Sequence, residues 1–460
     1  MKKILLLSIP VLIFSGLVIG IAKVNAFARA GTAYTAKILC SEVFVAGRTA
    51  QTVNRNEFDD IHPMFDKITR HVDEAARTVS TNLYGFGKAQ AVYREGRGCT
   101  VKVGLLAHQE EQSTQPPIPA NPFPVASRRE RNQHPRIDYP KLTRLIDGGF
   151  EDNSARHRAL IVAVDGKIVY ERYADYFSPT TPMLSWSAAK SVLATLVGIA
   201  VKDGLIDINA PVGVPEWRGD KRRSVISWDD MLRMTSGLDF EEDYSNPNSD
   251  VNRMLFKSRS MAQSAAKAPA KYDPGTVFSY SSGTSNILAR SLGDVVEEEL
   301  GVDLVEYAYE KLLKPLGMQK TVLETDAGGD FVGSSYMYAS PREWLKLGQL
   351  YLNKGKWNGV QIFDEDWDAY VTSPTSVSEN QYGAHFWLNR DGAGDLKRKL
   401  PIFPEDMYYF AGHDGQYVFV EPTRNMVVVR LGLTRGKSVF NQVAPLISGL
   451  ALSVQPLSVN

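Results

Sequence analysis

The stretch Ser187-Ala188-Ala189-Lys190-Ser191-Val192-Leu193-Ala194-Thr195-Leu196-Val197-Gly198-Ile199-Ala200 opens with a hydroxyl and an amine three residues apart and continues as an apolar helix. That spacing puts both groups on one helix face, where an amine that has lost its proton can activate the oxygen. At the first turn the serine also meets unpaired backbone N–H groups and the positive end of the helix dipole. Alone the tetrad is a weak signal: at ordinary Ser and Lys frequencies it arises about once by chance in a chain of this length. A second copy, Ser264-Ala265-Ala266-Lys267, is present. Context separates the two, because the second runs into Pro269 and a polar turn and has no apolar wall to depress its lysine. A plainer reading of Ser187, a helix-capping serine near a solvated lysine, stays open at this point.

Outward from this helix the pattern defines a fold. Upstream, Leu160 to Val164 and Lys167 to Tyr173 are β-prone runs about Asp165-Gly166, a strong hairpin signal. Downstream, helical spacing dominates over Trp228 to Met234, Thr284 to Leu300, Leu304 to Leu316 and Ser340 to Asn353. The last of these carries a capping box, with Ser340 as N-cap, Pro341 next and Glu343 at the third position. Strand signals return at Gly383 to Asn389, Gln416 to Glu421 and Met426 to Leu433, followed by a helical segment from Ser438 to Ser453. Strands, then helices, then strands predict an α/β chain of the α+β type. One antiparallel sheet, built from both ends of a domain over 137–460, is flanked by helices and interrupted by an all-helical subdomain.

Ahead of that domain, residues 107–136 carry Pro116, Pro117, Pro119, Pro122 and Pro124 among polar side chains and read as an extended linker. Residues 30–106 read as a small accessory α+β unit. Strand character lies at Lys37 to Val45, Tyr84 to Tyr93 and Val101 to Leu106, and helical spacing at Asp60 to Thr78. At the start, Lys2 and Lys3 precede an uncharged apolar run over 4–22, and Val24-Asn25-Ala26 offers small residues for cleavage. Residues 1–26 therefore read as a signal peptide or an uncleaved membrane anchor, with a buried core helix as the third alternative. The first two send the chain to the periplasm or the cell exterior, and the second anchors it to the membrane through 4–22. In such an oxidising compartment Cys40 and Cys99 are expected to pair, which chain entropy values at about 4 kcal/mol; two unrelated buried thiols are the alternative.

Composition removes several function classes. With 460 residues, 43% hydrophobic and 23% charged, the chain can bury sizeable cores. Fifty-two basic side chains against fifty-two acidic ones leave no net field to gather a nucleic acid. Two cysteines and seven histidines form neither a four-thiolate set nor a His-Glu-x-x-His pair, so no metal or other cofactor is expected. No Gly-x-Ser-x-Gly elbow is present to support a Ser-His-Asp triad, and Gly85-Phe86-Gly87-Lys88 is too short for a phosphate loop.

Two further segments keep company with Ser187. Tyr280 and Ser282 follow the turn Tyr272-Asp273-Pro274-Gly275, which can hold the tyrosine at a cleft mouth, where a phenol near an ammonium is a candidate general base and acid. Gly412-His413-Asp414-Gly415-Gln416 leads into a strand, and its small residues let a ligand approach an edge amide. Taken singly, Tyr280 reads as an aromatic packed under a loop and His413 as a turn histidine. His413 and Asp414 are not expected to pair, because alternate strand residues face opposite ways.

In this order, Ser187-x-x-Lys190, Tyr280-x-Ser282 and His413-x-Gly415 resemble the signature of the serine β-lactamase and penicillin-recognising hydrolase family: Ser-x-x-Lys, Tyr-x-Asn or Tyr-x-Ser, and a Lys-Thr-Gly or His-x-Gly strand. The run Met231-Leu232-Arg233-Met234-Thr235-Ser236-Gly237-Leu238 is similar to the family's stretch after its second helix. The branch it resembles is that of 6-aminohexanoate-dimer hydrolases and class C-like esterases. The resemblance implies a β-lactamase/transpeptidase-like fold and an exported serine hydrolase acting on a small amide, ester or peptide. It implies Ser187 as acylated nucleophile, Lys190 as its proton acceptor, Tyr280 as proton shuttle, and backbone N–H groups of Ser187 and Gln416 as oxyanion donors. His413 takes the place of the β-lactamase lysine and Ser282 that of a frequent asparagine, with Gly415 and Tyr244, in the acidic loop from Asp239, also on the substrate side. A mostly neutral His413 argues against efficient hydrolysis of carboxylate-bearing antibiotics. A D-alanyl peptidase, a weak β-lactamase, or a catalytically silent peptide-binding protein are the other readings of such a cleft.

Overall fold

Two adjacent residues with positive φ, Asp165 at 52° and Gly166 at 72°, make the tight turn that the Asp-Gly pair predicts, and the strands on either side of it open the main sheet. The computed structural model describes residues 24, 25, 27–107, 117–392, 396–436 and 439–458. The apolar run over 4–22, on which the signal-or-anchor reading rests, lies outside them. Among the described residues no helix is long and apolar enough to cross a membrane.

The described chain begins with helix α1 over 27–44 and a four-stranded antiparallel meander, β1 (Ile68–Asp73), β2 (Thr78–Leu83), β3 (Phe86–Arg94) and β4 (Gly98–Val101). There follow α2 (Tyr139–Asp152), the hairpin β5 (His157–Val164) and β6 (Lys167–Tyr173), and α3 (Ala189–Lys202). Next come α4 (Ser282–Leu300) and α5 (Pro341–Leu352), then β7 (Trp387–Leu388), β8 (Tyr408–Gly412), β9 (Gln416–Glu421), β10 (Met426–Gly432) and α6 (Val439–Ala451).

The main sheet runs β7-β8-β9-β10-β5-β6 and every pair is antiparallel. Its centre joins the two ends of the domain, with Val427 opposite Ala163 and Val429 opposite Ile161. Alternation along β10 splits the core. Val427 and Val429 belong with Leu193, Leu196, Trp344 and Leu347 on the face covered by α3 and α5, whereas Met426 and Val428 belong with Leu142, Ile146, Leu446 and Ile447 under α2 and α6. The sheet is thus sandwiched between helical layers, and α3 is buried from Ala189 to Ala200. The capping box of Ser340 and Glu343 forms as expected. The fold is β-lactamase/transpeptidase-like, as the sequence pattern and resemblance implied.

Several local expectations are corrected. Lys37 to Val45 lies in α1 and its following turn, not in a strand; small Ala28, Ala33 and Ala36 upstream let a helix form, and Leu39 and Cys40 continue its buried face. Asp60 to Thr78 is not helical: a 3-10 turn over Pro63–Lys67 leads into β1, where β-branched Ile68, Thr69 and Val72 pair with β2. Strand β8, rich in Tyr and Phe, escaped the sequence reading. The described part of the Pro-rich segment lies along the hairpin, with Ala126 N–H donating to Ile168 at 2.8 Å, and then forms a short capped helix, Arg128–Gln133.

Cys40 and Cys99 form a disulfide that ties α1 to β4. Leu39, Val53, Val79 and Ala91 belong to the same continuous core as α3 and α5. Buried charges also cross this junction: Lys37 pairs with Glu324, and Arg48 with Glu42 and Glu57, the latter also holding Arg158. Each such pair has shed its water, and removing one partner alone leaves an uncompensated buried charge.

Candidate active site

The approach to Ser187 is made by a 3-10 turn over Trp186–Ala188, after which α3 begins at Ala189. Trp186 sits at φ 46°, in the left-handed region that a bulky residue rarely occupies. The turn packs against β8 and β9, and a side chain at Gly412 would collide with the Ser185 carbonyl oxygen, 2.1 Å from the added carbon. Glycine is therefore needed at 412 for this close approach of β8 to the nucleophile turn.

Lys190 is buried and donates to three oxygens: Ser187 Oγ at 3.1 Å, Ser282 Oγ at 3.2 Å and the Ser334 carbonyl at 2.9 Å. No carboxylate touches it directly. Burial lowers its ammonium to about 8, with the charge of Glu242 acting in the opposite direction. Near neutral pH a usable fraction is therefore the free amine, already within hydrogen-bond reach of Ser187.

Tyr280 arrives from the loop before α4. Its ring lies 4.9 Å from Lys190 Nζ and is packed by Tyr382 and Trp387, at centroid distances of 6.0 and 5.6 Å, and Ser187 lies close enough to act on its hydroxyl. Burial raises the Tyr280 phenol above its ordinary value, and Ser187 only partly offsets this. The easier proton acceptor is Lys190, which leaves Tyr280 a neutral proton donor.

Ser282, the first residue of α4, accepts attention from both sides. Its hydroxyl donates to Glu242 at 2.5 Å, its N–H donates to the same carboxylate at 2.9 Å, and its Oγ lies 3.3 Å from Tyr244 Oη. Tyr244 Oη also donates to Glu242 at 2.9 Å, and the exposed Tyr244 ring stacks on that of His413 at 6.5 Å. The acidic loop thus reaches the cleft floor, and Glu242 is a site residue that the sequence reading did not single out. A carboxylate two residues before Tyr244 was the available signal, but its contact with Ser282 depends on tertiary structure.

The segment over His413–Gly415 is a turn with Asp414 at φ 58°, not a strand, so His413 Nε2 and Asp414 Oδ1 do approach, to 3.2 Å. His413 is exposed and meets Trp186 edge-on at 5.6 Å. Gly415 needs its positive φ of 86° and its missing side chain for a different reason than ligand access: an added carbon would lie 2.3 Å from Arg430 Nη1. Arg430, fully buried on β10, donates to the Gly415 carbonyl at 2.7 Å and to that of Asp414 at 3.3 Å, and so holds the turn from beneath. The side chain of Gln416 is engaged with Gly432, so what this residue can offer the cleft is its backbone, at the start of β9. The second tetrad stays separate: Lys267 is exposed beyond the five-residue helix Met261–Ala265. Among the described residues no cluster of His, Cys, Asp and Glu fit to hold a metal ion occurs.

A nucleophile turn before a buried helix, a lysine one turn on, a loop tyrosine and a glycine-bearing strand edge define a class. The β-lactamase family model matches residues 142–445, and the chain belongs to that family; it is an enzyme of the serine hydrolase kind. It is similar to the 6-aminohexanoate-dimer hydrolase of Paenarthrobacter ureafaciens, 25% identical over 303 residues, which cover 59% of this chain and 71% of that one. A protein of Salmonella paratyphi A, named provisionally as a D-alanyl-D-alanine carboxypeptidase, is 25% identical over 287 residues, half of this chain and 64% of its own length. Among solved structures, EstCE1, a hydrolase with promiscuous acyltransferase activity, superposes with a TM-score of 0.54 at 17% identity, covering 68% of this chain and 99% of that one. The last likeness concerns the fold.

Proposed function

We propose that this protein is an exported serine hydrolase that cleaves a small amide or ester through an acyl-Ser187 intermediate. One observation carries the reading: a buried Lys190, lowered to about 8 and without a direct counter-ion, lies 3.1 Å from the Ser187 hydroxyl. The neutral Lys190 amine takes the Ser187 proton as Oγ attacks the carbonyl carbon. Backbone N–H groups of Ser187 and Gln416 receive the developing oxyanion. Tyr280, held neutral by burial, protonates the departing amine or alkoxide and is resupplied from Lys190. Water then attacks the acyl group, passes its proton back to the same pair, and frees Ser187. Export is supported by the apolar run after Lys2 and Lys3 and by the Cys40–Cys99 bond.

The substrate reading rests on likeness to the 6-aminohexanoate-dimer hydrolase and on the exchange of the family lysine for His413, which leaves a penicillin carboxylate without its usual cation. A fluorophosphonate probe is expected to label Ser187, with labelling lost in Ser187→Ala and kept in Ser264→Ala; equal labelling of both variants sinks the assignment. A panel of nitrocefin, short p-nitrophenyl esters, D-alanyl peptides and 6-aminohexanoate dimer sorts the substrate class. Nitrocefin turnover at rates of dedicated β-lactamases would overturn the argument from His413.

A further inference from the structure

The region matched by the family model begins at residue 142, yet α1, far upstream of it, reaches Trp186 in the turn that carries Ser187. Tyr34, on α1, lies parallel to Trp186 in an offset stack, with centroids 6.2 Å apart and planes 6° from parallel. Trp186 precedes Ser187, and its left-handed backbone fixes the direction in which the Ser187 N–H points. Such a conformation persists for a bulky residue only where the surroundings over-determine it. At the far end of the same tyrosine, Arg435 and the Asp414 carboxylate lie close enough to act on its hydroxyl. Next to Arg435, the Thr434 N–H donates to the Asp414 carbonyl at 2.9 Å. Tyr34, Trp186, Asp414 and Gln416 all line one small cavity of about 20 Å³.

The ring is itself clamped. Phe58, Phe65 and Phe256 meet it edge-on, at interplanar angles of 79°, 88° and 76°. The helix that carries it is fastened by the Cys40–Cys99 bond and by the buried pair of Lys37 and Glu324. We infer that Tyr34 is a positioning residue for catalysis: through Trp186 and the turn over His413–Gly415 it braces the two backbone donors, at Ser187 and Gln416, that receive the oxyanion, so the N-terminal unit is part of the working active site. This rests on the acyl-serine reading above. Donors placed in advance contribute to rate only while their direction is held, and they act on the transition state more than on substrate affinity.

The test uses the full chain with Tyr34→Leu, Tyr34→Phe, Phe58→Leu and Trp186→Leu, each measured for kcat and KM on a p-nitrophenyl ester, for fluorophosphonate labelling of Ser187, and for thermal midpoint. Tyr34→Leu is expected to lose about tenfold or more in kcat with KM changed by no more than about twofold, and Tyr34→Phe, which keeps the stack on Trp186 but removes the hydroxyl beside Arg435 and Asp414, to fall between Tyr34→Leu and wild type. Phe58→Leu, which loosens the clamp without touching Trp186, is expected to lower the thermal midpoint and largely retain kcat. Trp186→Leu removes the stack from the other side, reproduces the kcat loss, and decides the matter should Tyr34→Leu fail to fold. Wild-type kcat in Tyr34→Leu or Trp186→Leu, or an equal loss in Phe58→Leu, overturns the inference and leaves the acyl-enzyme standing. A wild-type enzyme that neither turns over ester nor labels at Ser187 removes that reading, and this one with it.

Discussion

Lys37 and Lys190 are buried almost equally, 2% and 1% exposed, and sit in opposite electrostatic settings. Lys37, on the buried face of α1, meets Glu324, whose carboxylate also accepts from Ser41 at 2.7 Å and from the Cys99 N–H at 2.8 Å. Lys190, on the cleft floor, donates to two hydroxyls and a carbonyl and touches no carboxylate among the described residues, and Glu242 reaches it across Ser282. Burial pushes both ammonium groups down; Glu324 opposes this at contact distance in one case, and Glu242 from further off in the other. The difference separates a lysine that fastens two parts of the chain from one left ready to exchange its proton. A neutralised charge stabilises the junction, whereas an unneutralised one lowers stability and is retained for reactivity.

The same substitution at the two positions is therefore expected to have opposite effects. Lys190→Met should lower kcat on a p-nitrophenyl ester by about 10²–10⁴-fold while raising the thermal midpoint at pH 7, because a desolvated cation without a counter-ion is removed. Lys37→Met should do the reverse, losing about 3–5 kcal/mol in urea denaturation as Glu324 is left buried and unpaired, with activity per folded molecule retained. If both substitutions stabilise, or both destabilise, the contrast between the two sites is wrong. A finer probe is pH. Activity carried by the neutral Lys190 amine should rise with pH through about 8. Glu242 holds that value up, so Glu242→Gln should move the rising limb of kcat/KM to lower pH, by up to about one unit. An unmoved limb would detach Glu242 from the lysine. Ser264→Ala should change neither rate nor stability measurably, since Lys267 is solvated at the end of a short helix.

The Ser187–Lys190 side of this contrast was legible in the amino-acid order, and the parts that were not, Lys37 among them, have a common cause. Ser187 and Lys190 are local, three apart on a strongly apolar helix, and so is the Asp165-Gly166 turn that nucleates the hairpin. The capping box at Ser340 and the bounds of β9 are local as well. Strand β8 carried a signal that went unread, an aromatic run of Tyr408, Tyr409 and Phe410 ending at Gly412. What could not be read depends on partners far along the chain. Strand-like Lys37 to Val45 becomes a helix because its buried face meets the meander and the main core, and Glu242 finds Ser282 only after the loop folds over α4. Arg430 interrupts a valine-rich strand without any local reason; its donors are consumed by Ala155, Asp414 and Gly415. The neutral state of Tyr280 likewise follows from its depth of burial, with the Glu242 charge acting in the same direction.

The pairing of Val427 with Ala163 at the middle of the main sheet has a consequence for biogenesis. The hairpin of β5 and β6 leaves the ribosome with one edge bare, and its partner β10 is made only after the whole helical region that separates them in sequence. A nascent chain that has not yet passed Met426 cannot close the sheet, and its open edge is a surface on which other chains can add. Completion thus waits on β10, and shortened products ending before it should accumulate as aggregates rather than as partly active enzyme.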